Sequence, residues 1–328
     1  MYSSVRRQHD SSTACSHRDL KSANRAAYSS IVKIPASSRI HLFAVAISLS
    51  FVSCGGVGPR KTPVSSRPGE QISVIMNETA GIGGLLFVKL HLKSGEKFPA
   101  IIDTGSPNTM LPVRFEPLLG ERRGSRRFST LGSRDQVEHL YAAPELFLGE
   151  VRLITGDRVG TSGELGVLGM DCLKNYRVRL DFQTRKLSFL PNNEIPNPTW
   201  GKSFRLTSLR YASISHANFF QDNEAALIID TGCPIDGYLK SAPFEKAAVA
   251  YQGRPIPLLK SRDFQGVTPR IPRMLIFSGC TWDNEAYSNL VIGKGFNLLG
   301  LKFLGRHIVT LDFPNKRVYL KRRTGSKE

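Results

Sequence analysis

The chain has 328 residues, of which 41% are hydrophobic and 22% charged, and a formal net charge of +18. That length buries one large core or two modest ones, and 19 prolines with 29 glycines suit a turn-rich β protein better than a helical bundle. The basic residues are scattered, with small clusters at Arg122-Arg123, Arg126-Arg127 and Lys321-Arg322-Arg323. No recognition-helix or aromatic RNA-binding pattern accompanies them, so they read as a solvated basic face and nucleic acid is not an expected partner. The five cysteines (Cys15, Cys54, Cys172, Cys233 and Cys280) form no Cys-x-x-Cys pair, and the seven histidines neither cluster nor make a His-Glu-x-x-His. Neither a metal nor another cofactor is expected.

Residues 1–40 are rich in Ser, Ala, Arg and Lys and show no sustained periodicity. Leu42 to Val52 then form an uncharged apolar run of eleven residues. That is short of the roughly 20 residues that span a bilayer, but it fits the apolar region of a secretory signal. Cys54 follows among small residues, and Phe51-Val52-Ser53-Cys54-Gly55-Gly56 resembles a bacterial lipoprotein signal. The resemblance implies that Cys54 is lipidated and anchors an exported chain to the membrane of the cell envelope. Two features depart from the pattern: Phe51 stands where such signals usually carry Leu, and the preceding segment is long, which suits a start downstream of Met1, near Val32. A plain secretory signal or a buried strand, with Cys54 incidental, stays open. Residues 1–54 are thus read as a targeting segment and 55–70, rich in Gly, Pro and Ser, as a flexible tether.

Beyond the tether the chain repeats itself. Residues 99–111 read PAIIDTGSPNTML and residues 226–239 read ALIIDTGCPIDGYL. A second pair follows: 166–190, GVLGMDCLKNYRVRLDFQTRKLSFL, and 297–320, NLLGLKFLGRHIVTLDFPNKRVYL. Spacing agrees as well, at 66 residues from Asp103 to Gly169 and 70 from Asp230 to Gly300. Two coincidences in one order and at nearly one distance point to a duplicated β unit. Its copies are read as lobes 71–195 and 203–323, joined by a linker 196–202 and followed by a tail 324–328. Phe87–Leu92 and Lys186–Leu190 alternate as strands, and Asp181–Lys186 and Asp312–Lys316 carry turns. No convincing long helix is visible, although a short one after Leu173 or Leu304 is compatible with the pattern.

The repeated triplet makes chemical sense as a pair. Ile101-Ile102 and Ile228-Ile229 bury a strand that delivers Asp103 or Asp230 to a tight loop. Gly105 and Gly232 let the backbone pass close beneath a carboxylate, where a Cβ would clash. Thr104 and Thr231 can hydrogen-bond across to the opposite loop, and Ser106 is placed to donate to its Asp. One such triplet is an ordinary turn as often as a site. Two, each with its own distant glycine step, read as a paired carboxylate site.

On these motifs the sequence resembles the aspartic peptidases, and more closely the retropepsin-like branch than the pepsin-like one, over about 250 residues. The resemblance implies an all-β acid-protease fold of two retropepsin-like barrel lobes related by a pseudo-twofold, so that one chain, as a monomer, pairs its own lobes. It also implies a polypeptide substrate, and that Val167-Leu168-Gly169 and Leu298-Leu299-Gly300 pack beneath the Asp loops. Two adjacent carboxylates cannot both ionise, so they share a proton. The ionised member takes a proton from a water, the protonated one hydrogen-bonds the scissile carbonyl, and the water attacks.

Cys233 departs from the pattern, since it stands where the first loop has Ser106 and a thiol is a weak donor. Asp230 is therefore expected to be the less supported carboxylate. No histidine stands near Cys233 in sequence, so it reads as structural rather than nucleophilic. Flap hairpins are expected over the site, with tips at Gly132 (130–133) and Gly266 (264–267). Three classes remain open from sequence: an active endopeptidase, a weak or inactive peptide-binding protein that kept the lobes, and a chain whose lobes pair between molecules.

Overall fold

A computed structural model describes residues 71–128, 136–161, 163–190, 196–215, 220, 226–256 and 273–323. The expected lipidation site Cys54 and both expected flap tips, Gly132 and Gly266, lie outside the described residues. The fold is all-β and two-lobed, built on one sheet of thirteen strands, one of nine and a two-stranded ribbon.

The thirteen-stranded sheet joins the lobes. Three strands from the first half, in the order Ile72–Ile75, Lys186–Leu190 and Arg177–Asp181, continue into three from the second, His307–Asp312, Arg317–Arg322 and Lys202–Ser208. The two central strands are antiparallel, with Val178 opposite Leu311, Arg179 opposite Thr310 and Leu180 opposite Val309. In the sequence repeat Val178 matches Val309 and Leu180 matches Leu311. Each copy therefore pairs with the other through exchanged positions, as a twofold axis through the Arg179–Thr310 pair requires.

The two Leu-Asp-Phe turns show why these hairpins form. Asp181 Oδ1 accepts from the amides of Gln183 and Thr184 at 3.0 and 3.2 Å, and Asp312 Oδ1 accepts from the Asn315 amide at 3.3 Å. Each aspartate thus imitates a backbone turn. Arg185 and Lys316, at φ 55 and 52, complete the reversals. Next to the axis the fully buried Arg177 and Asp312 pair at 3.0 Å, and the Arg177 guanidinium lies over the Trp200 ring.

Away from the axis the lobes repeat strand for strand. In the first, the sheet order runs Gly124–Phe128, Gln136–Ala142, Arg158–Thr161, Met110–Leu111, Gly166–Leu168, Lys97–Ile102 and Phe87–Leu92. The second runs Arg254–Pro255, Met274–Phe277, Leu290–Lys294, Gly237–Leu239, Leu298–Gly300, Leu227–Asp230 and Ser213–Ile214.

Three local expectations need correction. The short helices are Met170–Leu173 and Leu301–Leu304, which end at the leucines they were expected to follow. They begin directly after Gly169 and Gly300, whose extended backbone occupies the N-cap position. A ten-residue helix, Ser241–Ala250, also fills the second lobe. It has no cap signal and its apolar residues are mostly alanines, so the sequence period is faint. Lastly, Lys186–Leu190 is buried from Leu187 onward rather than alternating. Ser188 meets its in-register partner Ser73 on the adjacent strand, Oγ to Oγ 2.8 Å, so its hydroxyl is satisfied while buried.

Candidate active site

Each aspartate leaves a strand that is held by a parallel neighbour. Lys97–Ile102 ends just before Asp103 and pairs with Gly166–Leu168, Ile102 opposite Leu168. Leu227–Asp230 pairs with Leu298–Gly300, Ile229 opposite Leu299. Parallel strands covered on both sides favour such β-branched and leucine runs. Ile102 and Ile229 face the main core, which turns Ile101, Ile228 and, two residues on from each, both aspartates to the other face.

The two loops interlock there. The Thr104 amide donates to Thr231 Oγ1 at 3.1 Å and the Thr231 amide to Thr104 Oγ1 at 3.1 Å. Each hydroxyl in turn donates across the axis, Thr104 to the Ile229 carbonyl at 2.6 Å and Thr231 to that of Ile102 at 2.7 Å. Both threonines are fully buried, so every one of these groups would lack a partner if the lobes parted. The cross-lobe role expected of Thr104 and Thr231 is what the structure contains.

The glycines matter for a more specific reason than the sequence suggested. A Cβ on Gly105 would lie 2.5 Å from Cγ of Asp230, and one on Gly232 would lie 2.5 Å from Cγ of Asp103. Each glycine therefore clears room for the carboxylate of the opposite lobe, not its own. Gly169 and Gly300 clear the backbone of the loop itself: a Cβ there would strike the Asn108 carbonyl and the Ile235 carbonyl respectively.

The Asp103 and Asp230 carboxyl groups meet across the axis, each beside the glycine of the opposite loop, and each influences the other's ionisation. Burial raises the pKa of Asp103, while the Gly105 and Ser106 amides pull it back. Burial raises Asp230 well above the carboxylate range, and the negative charge of Asp103 adds to the rise. The pair therefore favours holding a shared proton more than two isolated aspartates would.

The two carboxylates are unequally supported, two amides on Asp103 against one on Asp230, but the Ser106 hydroxyl is not the cause. The Ser106 hydroxyl donates to the Asn108 carbonyl at 2.9 Å, not to Asp103. Support for each carboxylate comes from main chain instead: the amides of Gly105 and Ser106 reach Asp103 Oδ1 at 2.8 and 3.0 Å, and that of Gly232 reaches Asp230 Oδ1 at 2.9 Å. Replacing Ser by Cys removes no bond to Asp230. The Cys233 thiol is buried against Leu298, Tyr238, Ile228 and Ile235, and burial beside Asp230 pushes its pKa well up, which leaves it unreactive.

Two braces behind the loops were not visible in the sequence. In the first lobe Thr109 Oγ1 donates to Asp171 at 2.6 Å and accepts from the Gly169 amide at 3.2 Å. In the second, fully buried Asp236 accepts from the Val291 amide at 2.8 Å and pairs with Arg306 and Lys302 at 3.3 and 3.4 Å. Thr109 and Asp236 occupy matching positions, as do Asp171 and Lys302, but the residue types differ between the lobes, so self-similarity could not reveal them.

The described strands flanking the two expected tips pair antiparallel at sheet edges: Gly124–Phe128 with Gln136–Ala142, and Arg254–Pro255 with Met274–Phe277. Among the described residues no group of three or more His, Cys, Asp or Glu converges as a metal site.

No protein-family model matches the sequence, and no curated protein matches it. Among solved structures the chain is similar to the crystal structure of an aspartic proteinase from Irpex lacteus, at 16% identity and a TM-score of 0.49. That match covers 78% of this chain and 98% of the other. Duplicated lobes, a shared central sheet and two Asp loops meeting on the axis make this an acid-protease fold.

Proposed function

We propose that the chain is an aspartic endopeptidase in which Asp103 and Asp230 activate a water against a peptide bond. One observation carries the reading: two carboxyl groups meet at the junction of two loops locked by four reciprocal threonine bonds. Apart from catalysis, holding two partly desolvated acids face to face only destabilises the fold. With one proton shared, the ionised oxygen takes a proton from water as its oxygen attacks the scissile carbonyl carbon. The protonated carboxyl donates to the carbonyl oxygen, giving a neutral tetrahedral diol. One carboxyl then protonates the leaving nitrogen as the C–N bond breaks, and the other takes the diol proton, so the pair returns to a single proton.

Both halves of the site come from one chain, and we assign it to the retropepsin-like side of the family on its short interval of 127 residues between the aspartates (103 to 230). Export and anchorage through a lipidated Cys54 complete the proposal and rest on residues 42–56 alone. Incubating the purified full chain with a fluorogenic peptide library between about pH 4 and 7, with and without pepstatin, tests the activity. Pepstatin-sensitive cleavage that vanishes in Asp103→Asn is expected, and equal cleavage by the two chains would sink the reading. Mass spectrometry of the membrane fraction tests the anchor, where an unmodified Cys54 would exclude it.

A further inference from the structure

Strand register carries the face of Asp103 outward to the first flap. Ile101 pairs with Val167, Val167 with Met110, Met110 with Gly160, and Gly160 with Leu140. Paired residues share a face, so this row lies on the side of the sheet to which Asp103 points. Glu138 stands two residues from Leu140 and Arg126 two from Gly124, on opposed positions of the hairpin, and both belong to the same side.

Arg126 and Glu138 form an ion pair through Oε1 of the glutamate. The other carboxyl oxygen, Oε2, is buried and has no hydrogen-bond partner, in a side chain only 1% exposed. It lies over Gly160, where a Cβ would collide with it. A buried acceptor left without a donor is costly and rare in a native fold. In the second lobe the matching place, over Gly293, is filled by the ring of Tyr238, which a Cβ on Gly293 would strike. The two lobes thus differ at this place, one acidic and one aromatic. Burial holds the pKa of Glu138 up against the pull of Arg126, and the nearby Asp171 adds to the rise, so the charge is poorly compensated.

We propose that Glu138, flanked by Arg126, forms a specificity subsite of the first lobe that takes a basic substrate side chain, lysine or arginine, whose head group donates to Oε2. The inference rests on the peptidase reading and adds its substrate class. Arg126 is 36% exposed and Oε2 is sealed behind it, so the Arg126 side chain swings aside to admit the incoming head group.

The test uses the full chain and a set of fluorogenic peptides identical except for Lys, Leu, Gln or Glu at one position on either side of the scissile bond. At one position kcat/KM for Lys is expected to exceed that for Leu by about tenfold to a hundredfold, the range of a charged hydrogen bond, with Glu the poorest. Glu138→Gln should erase most of that preference and Glu138→Leu reverse it. A wild type without basic preference at any position, or a folded Glu138→Gln that keeps it, overturns the subsite. If Glu138→Gln fails to fold, the wild-type profile decides. Fluorescence anisotropy with Asp103→Asn separates the two ideas. Should wild type cleave nothing, the peptidase reading falls, while tighter binding of the Lys peptide than the Leu peptide still upholds the subsite. Equal binding then overturns it.

Discussion

Behind its aspartate the first lobe places a neutral donor on an acid, Thr109 on Asp171, whereas the second sets Asp236 against Lys302 and Arg306. At the axis the difference vanishes: the Thr104 and Thr231 bonds match to within 0.1 Å, and each glycine clears the same 2.5 Å approach. Symmetry persists where the two copies touch each other, because a change in one loop there must be met by the other. Behind the loops each copy touches only itself, and its packing is free to diverge.

The largest expected effects test that shared centre. Asp103→Asn and Asp230→Asn should each lower kcat/KM by about a thousandfold or more, measured on one cleaved peptide. The same variants should melt higher than wild type near pH 7. Both carboxyl pKa values are raised in the fold, so the stability these groups supply is present in acid and lost as pH rises through the folded values. The gain should therefore shrink as pH falls, and a thermal gain independent of pH would contradict the assignment. For activity the shared proton implies a bell: cleavage falls in acid as the pair takes a second proton and again at higher pH as the first is lost.

Next come the glycines. Gly105→Ala and Gly232→Ala should cost about equal amounts, each about 1–3 kcal/mol by denaturant titration, because each methyl drives into the opposite carboxylate. A marked inequality would break the symmetry of the centre. The braces should behave oppositely to each other. Asp236→Asn should cost about 2 kcal/mol near pH 7, since it strips charge from a buried acceptor facing two cations. Asp171→Asn should cost little or stabilise there, because burial already raises the Asp171 pKa. Equal costs would erase the contrast drawn above. The smallest effect is expected for Cys233→Ser, with kcat/KM within about threefold of wild type, since main-chain amides and not this side chain hold Asp230. A tenfold gain would restore the side-chain role first expected of Ser106.

Much of the centre was legible in the chain itself. Asp103, Asp230 and their threonines and glycines were found because a duplicated motif writes the same steric demand twice. Glycine and Asp-Thr-Gly are local signals whose physical cause lies within a few residues, as do the Asx turns at Asp181 and Asp312. The helix Ser241–Ala250 was missed because its alanines leave little period to read. Ser106 was assigned to the wrong acceptor because a hydroxyl chooses among partners by direction, and direction comes from the folded loop.

Taken alone, the sequence determined that there are two lobes, that each brings one carboxylate, and which small residues attend it. Only the tertiary structure decided which carboxylate each glycine accommodates, which atoms hold each aspartate, and that Glu138 shares a face with Asp103. The physical reason is range. Backbone conformation and burial pattern are set by neighbours along the chain, whereas a shared proton, a cross-axis hydrogen bond or an unmatched buried oxygen depends on groups more than a hundred residues apart or across a sheet from one another.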